Sequence, residues 1–215
     1  MEANIAFMEE EVRDRVIVYV DPSCPFAWIT SRWLAEVERL GAIDLEVRLL
    51  SLSVVNEQRQ LDAWYREFND HAWGPARVMA ATLATHGRVA GRRFYEAFGE
   101  TFHVALDTAD DLDRDAISAS ALVDAGLPAD LIAAATDATW DDTLRAITSA
   151  AIDSVGLDVG VPVVAINGTI SSGPVLSSVP RNEQAVALYD AMRTLAYEPG
   201  FMRMERARCG ELQTA

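Results

Sequence analysis

Lysine is absent from this 215-residue chain, cysteine occurs twice, and no apolar stretch is long enough to cross a bilayer. The replacement of every lysine by arginine, with abundant alanine, fits a GC-rich genome and carries no mechanistic weight. Cys24 and Cys209 are far apart in sequence, and a reducing compartment argues against a structural disulfide between them, so at least one thiol is expected free. The first 15 residues hold four glutamates and lack a basic start followed by an apolar run, which predicts no export leader and a cytoplasmic protein. A basic patch is also missing. With a formal charge of −15, the chain would repel phosphate backbones and anionic headgroups, so neither nucleic acid nor membrane is an expected partner. His71, His86 and His103 have no ligand partner at helical spacing, so no metal is expected. No phosphate-binding glycine loop or Gly-x-Ser-x-Gly elbow occurs.

What remains suits a folded globular protein: 50% hydrophobic and 8% aromatic residues can fill a core, in one large domain or two small ones. Arg15–Val20 is a β-branched apolar run that predicts a strand buried on both faces. From Pro25 to Leu40, Phe26, Ile29, Trp33, Val37 and Leu40 recur at helical spacing, with Pro25 in the first turn and Gly41 at the end. Asp44–Leu52 alternates as a second strand. Residues 58–155 then read as a helical block, with punctuation at Gly74-Pro75, His86-Gly87 and Gly126-Leu127-Pro128. The five aspartates between Asp107 and Asp115 lack the features of a calcium loop and are read as helix caps. Pro162–Ile166, Asn167-Gly168 and Thr169–Ser172 predict a β-hairpin, and Glu183–Tyr197 a closing helix. The order is β-α-β, helical insertion, β-β-α. Its expected units are 12–57 and 156–198 for a sheet domain, 58–155 for the insertion, and 199–215 for a tail.

The chemistry concentrates in Asp21-Pro22-Ser23-Cys24-Pro25-Phe26-Ala27-Trp28, which puts a thiol at a helix N-terminus. Unpaired backbone N–H groups and the helix dipole there favour an anion, so the pKa of Cys24 is expected to fall. The alternative is a buried, inert cysteine acting as a small hydrophobe.

This turn resembles the active-site turn of the thioredoxin superfamily, and the helical block resembles the insertion of DsbA-like proteins. The implied fold class is α/β, a thioredoxin fold with a large all-α insertion between its second and third strands. Val161-Pro162 matches the proline that the superfamily holds in the cis form beside its thiol; the alternative is an ordinary strand-initiating proline. A wider set of segments is similar to the actinobacterial mycothiol-dependent nitroreductases. They are Cys24-Pro25 with Trp28–Trp33, Ser51–Arg59, Tyr65-Arg66-Glu67, Ala72-Trp73-Gly74-Pro75, the helix ending at His103, Asp158-Val159-Gly160, and Gly173-Pro174-Val175-Leu176. The resemblance implies a pocket over Cys24 lined by Asn56, Tyr65, Trp73 and His103, with Pro25, Phe26, Trp28, Val161 and Pro162 beside the thiol. Core packing is the alternative role for Trp28 and Trp73.

The sequence departs from that pattern at Ala27, where a resolving cysteine is expected. A two-thiol cycle within the turn is thereby excluded. The remaining expectation is a monothiol cycle, with Cys24 as nucleophile and mycothiol or another low-molecular-weight thiol as cosubstrate. No tightly bound cofactor is expected. The implied substrates are small electron-poor aromatics, such as nitro compounds, or mixed disulfides, and the protein is read as a monomer or homodimer. Ala27 also resembles the Ser-Pro-Tyr-Ala turn of kappa-class glutathione transferases and chromene-carboxylate isomerases, which keeps thiol transfer or isomerisation open. A non-catalytic module binding a small molecule or a protein is a third reading. Cys209, among Arg206, Arg208 and Gly210, is read as incidental rather than as a resolving thiol.

Overall fold

A computed structural model describes residues 13–105, 112–156, 160–205, 207 and 211–214. Cys209, Asp158, Val159 and residues 107–111 of the aspartate run lie outside the described residues. Strand β1 (Asp14–Val20) is β-branched and apolar, and it sits centrally in a four-stranded sheet of order β2-β1-β3-β4. It pairs in parallel with β2 (Ile43–Leu49) and antiparallel with β3 (Val163–Ile166), which pairs antiparallel with β4 (Thr169–Ser172). Asn167 and Gly168, both at positive φ, turn β3 into β4 as the Asn-Gly dipeptide predicts. This is the thioredoxin arrangement, with the expected α/β order.

Period-two alternation assigns the two faces of the sheet. Val16, Val18 and Val20 point into the main core, where α1 (Pro25–Arg39) contributes Trp33, Leu34 and Val37, and α6 (Asn182–Ala196) contributes Ala185 and Tyr189. The buried Trp33 indole N–H donates to the Ala185 carbonyl at 2.9 Å, which ties the two helices together. Tyr19 and Val163 point the other way, onto Ala151 and Val155 of α5 (Asp141–Val155).

Between β2 and β3 lie α2 (Leu52–Val55), α3 (Ala63–Ala105), α4 (Arg114–Asp124), two 3₁₀ turns and α5. Most boundaries fall within one residue of the sequence reading, and two features differ by more. The second strand ends at Leu49 rather than Leu52, because the Leu52 N–H donates to the Asp21 carboxylate at 2.7 Å and the chain leaves the sheet to start α2. Gly74-Pro75 does not break the helix, since α3 runs through it. Pro75 leaves the His71 carbonyl without its helical donor, but His71 is exposed and water can take that role. Gly74 instead allows close packing, as a Cβ there would lie 3.1 Å from Asp115 Oδ1. The helix breaks direction at Gly87 (φ 81°), which divides α3 into two arms. The second arm docks on the sheet unit through Arg92, whose guanidinium donates to Glu38, Glu96 and the Leu45 carbonyl.

Candidate active site

Chain direction alone brings Cys24 to the head of α1: β1 ends at Val20, and the helix starts at Pro25, whose missing N–H costs nothing in a first turn. Asp21 shapes the connection. Its carbonyl accepts the Cys24 N–H at 3.1 Å, Oδ1 accepts the Ser23 N–H at 2.8 Å, and Oδ2 accepts the Leu52 N–H. Burial pushes the Asp21 carboxyl up to about 6, against the opposing pull of these donors.

The Cys24 side chain is 6% exposed, and its Sγ lies 3.7 Å from the Val161 carbonyl, in donor geometry for a protonated thiol. The Val161–Pro162 peptide that follows is cis, as is Gly173–Pro174 after β4. The thiol environment corrects the electrostatic expectation. Burial pushes the Cys24 pKa up to about 12, and the buried Asp21 adds to the rise; the Ala27 and Phe26 N–H groups at the helix end pull the other way without winning. A helix terminus favours a thiolate only where solvent or a cation shares the charge, and here the sulfur is enclosed in the core with a carboxyl nearby. The described thiol is therefore neutral at physiological pH.

Trp28, one helical turn beyond Cys24, is 2% exposed and fixed from the insertion. His103 stacks on it with ring centroids 5.4 Å apart, Tyr95 meets it edge-on at 5.8 Å, and the Arg32 guanidinium lies over it. Gly99 sits between Tyr95 and His103 on the same face of α3, and a Cβ there would come 2.2 Å from Trp28. One ring nitrogen of His103, Nε2, is 2.9 Å from the Pro22 carbonyl, so α3 holds the Cys24 turn from behind. Burial lowers the His103 pKa to about 3; the ring is neutral and the nitrogen facing Pro22 carries the proton.

Asn56 and Tyr65 form a second cluster. Asn56 Nδ2 donates to Asn69 Oδ1 at 3.1 Å and lies 3.4 Å from the Tyr65 hydroxyl, and Asn69 Nδ2 donates to the Tyr65 carbonyl. This cluster is joined to the Cys24 turn through α2 and the Asp21–Leu52 hydrogen bond. Trp73 is half-buried, with the Arg77 and Arg145 guanidiniums over its ring at 5.3 and 5.6 Å. Phe26 is half-buried against the main core, and Ala27 is fully buried. Among the described residues, no group of three or more His, Cys, Asp or Glu side chains is placed to hold a metal ion, and no helix is long and apolar enough to cross a membrane.

The geometry is that of a guarded thiol at a strand-to-helix junction beside a cis-proline loop. A family model described as Rv2466c-like, mycothiol-dependent nitroreductase Rv2466c, matches residues 23–206. The chain belongs to this family. Rv2286c of Mycobacterium tuberculosis, described as uncharacterized, is 28% identical over 192 residues, spanning 88% of this chain and 80% of that protein. MdbA of Actinomyces oris, titled a thiol-disulfide oxidoreductase, superimposes with a TM-score of 0.50 at 15% identity over 74% of this chain and 73% of its own, a likeness of fold. Membership in the Rv2466c-like family makes the protein an enzyme of the thiol-dependent oxidoreductase class.

Two parts of this site lie outside the sequence reading. Asp21 enters the sequence reading only as the start of the Cys24 segment, although an acidic residue straight after a buried strand must itself find donors. Tyr95 and Gly99 precede the expected His103 at four-residue steps, which places them on its helix face.

Proposed function

We propose that Cys24 is the single nucleophile of a monothiol reductase cycle in which a low-molecular-weight thiol, mycothiol where the cell makes it, is the electron donor. The observation that carries this reading is the inventory of the turn: Cys24 caps α1, and one turn on stands the fully buried Ala27, with no sulfur to resolve an intermediate. For a mixed disulfide RS–SM, the neutral Cys24 thiol gives up its proton as its sulfur attacks the mycothiol sulfur, forming Cys24–S–S–M and releasing RS⁻, which takes that proton. A second mycothiol then attacks that disulfide, giving mycothiol disulfide and restoring Cys24. For a two-electron acceptor such as an electron-poor nitroaromatic, Cys24 and one mycothiol each lose a hydrogen as their sulfurs join. The acceptor takes both, a nitro group becoming nitroso with loss of water, and a second mycothiol again releases the enzyme.

His103 and Trp28 position the turn, and the neutral His103 contributes no charge to the sulfur. Asn56, Tyr65 and Trp73 line the substrate side of the pocket in this reading, and Val161, before Pro162, presents its carbonyl edge to the thiol substrate. The absence of a sulfur at Ala27 also favours a second reading, in which the turn activates a thiol cosubstrate that adds to an electrophile without redox change. The two separate on product and on Cys24. Incubation with mycothiol and a nitroaromatic should yield mycothiol disulfide in step with acceptor reduction, and Cys24→Ser should abolish both. A thioether conjugate that still forms with Cys24→Ser would replace the reductase with the transferase.

A further inference from the structure

The Trp28–His103 pair is covered by residues 211–214, which make three hydrogen bonds to three different parts of the fold. The Trp28 indole N–H donates to the Thr214 carbonyl at 3.0 Å, the Thr214 hydroxyl donates to the His103 carbonyl at 2.9 Å, and the Gln213 N–H donates to the Ser177 carbonyl at 2.8 Å. The contact is specific to one residue: Thr214 is 6% exposed, while Glu211 and Gln213 face solvent. Both groups that Thr214 satisfies need a partner. A buried indole N–H is costly when unpaired, and His103 lies in the last turn of α3, where carbonyls have no helical donor. Beside Thr214 is a cavity of only about 90 Å³, bounded by Trp28, Arg32, Glu100, Val104 and Arg181. With the segment in place this is well below the roughly 300 Å³ that a small-molecule site needs.

We propose that residues 211–214 are an internal ligand, occupying a binding site on the Trp28–His103 face that takes an amide- and hydroxyl-bearing small molecule when the segment leaves. The chemistry of the class is set by what the segment supplies: a carbonyl for the Trp28 N–H, a hydroxyl for the His103 carbonyl and an amide N–H for the Ser177 carbonyl. The inference rests on the reading of Cys24 as the reacting thiol for its catalytic meaning, because Trp28 is one turn from that thiol. Occupancy of that face is then a competition between the segment and the incoming molecule, with tethering giving the segment an effective concentration on the order of millimolar.

The test uses the full chain in a Cys209→Ser background, so that only Cys24 alkylates. Deleting residues 211–215 should speed iodoacetamide alkylation of Cys24 about fivefold or more, the scale of losing one net hydrogen bond from a local closure. A blocked peptide of residues 210–215 should slow it again saturably and change tryptophan fluorescence, and S-methylated mycothiol should displace that peptide. Thr214→Val in the full-length protein should give a smaller acceleration, and it decides the matter if the deletion does not fold cooperatively. A wild-type alkylation rate in the variants, with no peptide effect on fluorescence at several millimolar, would overturn the internal ligand. Peptide binding without displacement by S-methylated mycothiol would overturn the ligand class. If Cys24 alkylates in none of these proteins, the reductase reading fails, while the peptide titration still decides the occupancy of the Trp28 face.

Discussion

The two sides of Cys24 are built differently. On the sheet side, the thiol is placed by elements adjacent in sequence or paired in the ladder: β1 delivers Asp21, α1 begins at Pro25, and β3 starts just beyond Val161–Pro162. On the insertion side, its surroundings come from distant contacts of single side chains: His103 onto Pro22, Tyr95 and Gly99 onto Trp28, and Thr214 onto both helices. The sheet side fixes where the sulfur is, and the insertion side holds the Pro22 carbonyl and the Trp28 ring on either side of it in sequence. Burial, not the helix end, sets its protonation.

That division can be broken by substitution on either side. The largest effect is expected at Gly99→Ala, where the new methyl meets the face of a fully packed Trp28; unfolding by urea should show a loss of about 3 kcal/mol, with faster Cys24 alkylation. Val16→Ala in the sheet core, fully buried on β1, should cost about 2.5 kcal/mol while leaving Cys24 alkylation under native conditions unchanged. An equal acceleration in both variants would erase the distinction.

His103 sharpens the contrast through pH. Its folded pKa is depressed, so its contribution is complete above the ordinary value near 6.5 and is lost as pH falls toward 3, because the unfolded chain binds the proton first. Between about pH 7 and pH 5 this amounts to about 2 kcal/mol, and His103→Gln should remove that part of the slope in urea titrations at the two pH values. The smallest effect is expected at Ser31→Ala, which removes the 3.0 Å contact with the Tyr95 hydroxyl and should cost about 1 kcal/mol in the same unfolding measurement.

The same contrast explains what was legible. Period-two and helical spacing reveal β1, α1, the Asn167-Gly168 hairpin and α6, because each is decided by neighbouring residues. The strand-to-helix position of Cys24 follows from those elements alone. Its raised pKa does not, since it depends on the burial of the sulfur and of Asp21, neither of which has a local signature. Gly74-Pro75 misleads for a related reason: the dipeptide reads as a break, but packing against Asp115 and Ala135 holds the helix through it. The Thr214 contact spans 186 residues from Trp28, beyond any periodicity.

The central claim is that one thiol, with no internal partner at Ala27, carries the chemistry. Intact mass spectrometry of the protein after incubation with mycothiol disulfide tests it most directly. The account predicts a single mycothiol adduct that maps to Cys24, is absent from Cys24→Ser, persists in Cys209→Ser and is released by added mycothiol. A Cys24–Cys209 disulfide in place of the adduct, or an adduct that forms equally on Cys24→Ser, would contradict it.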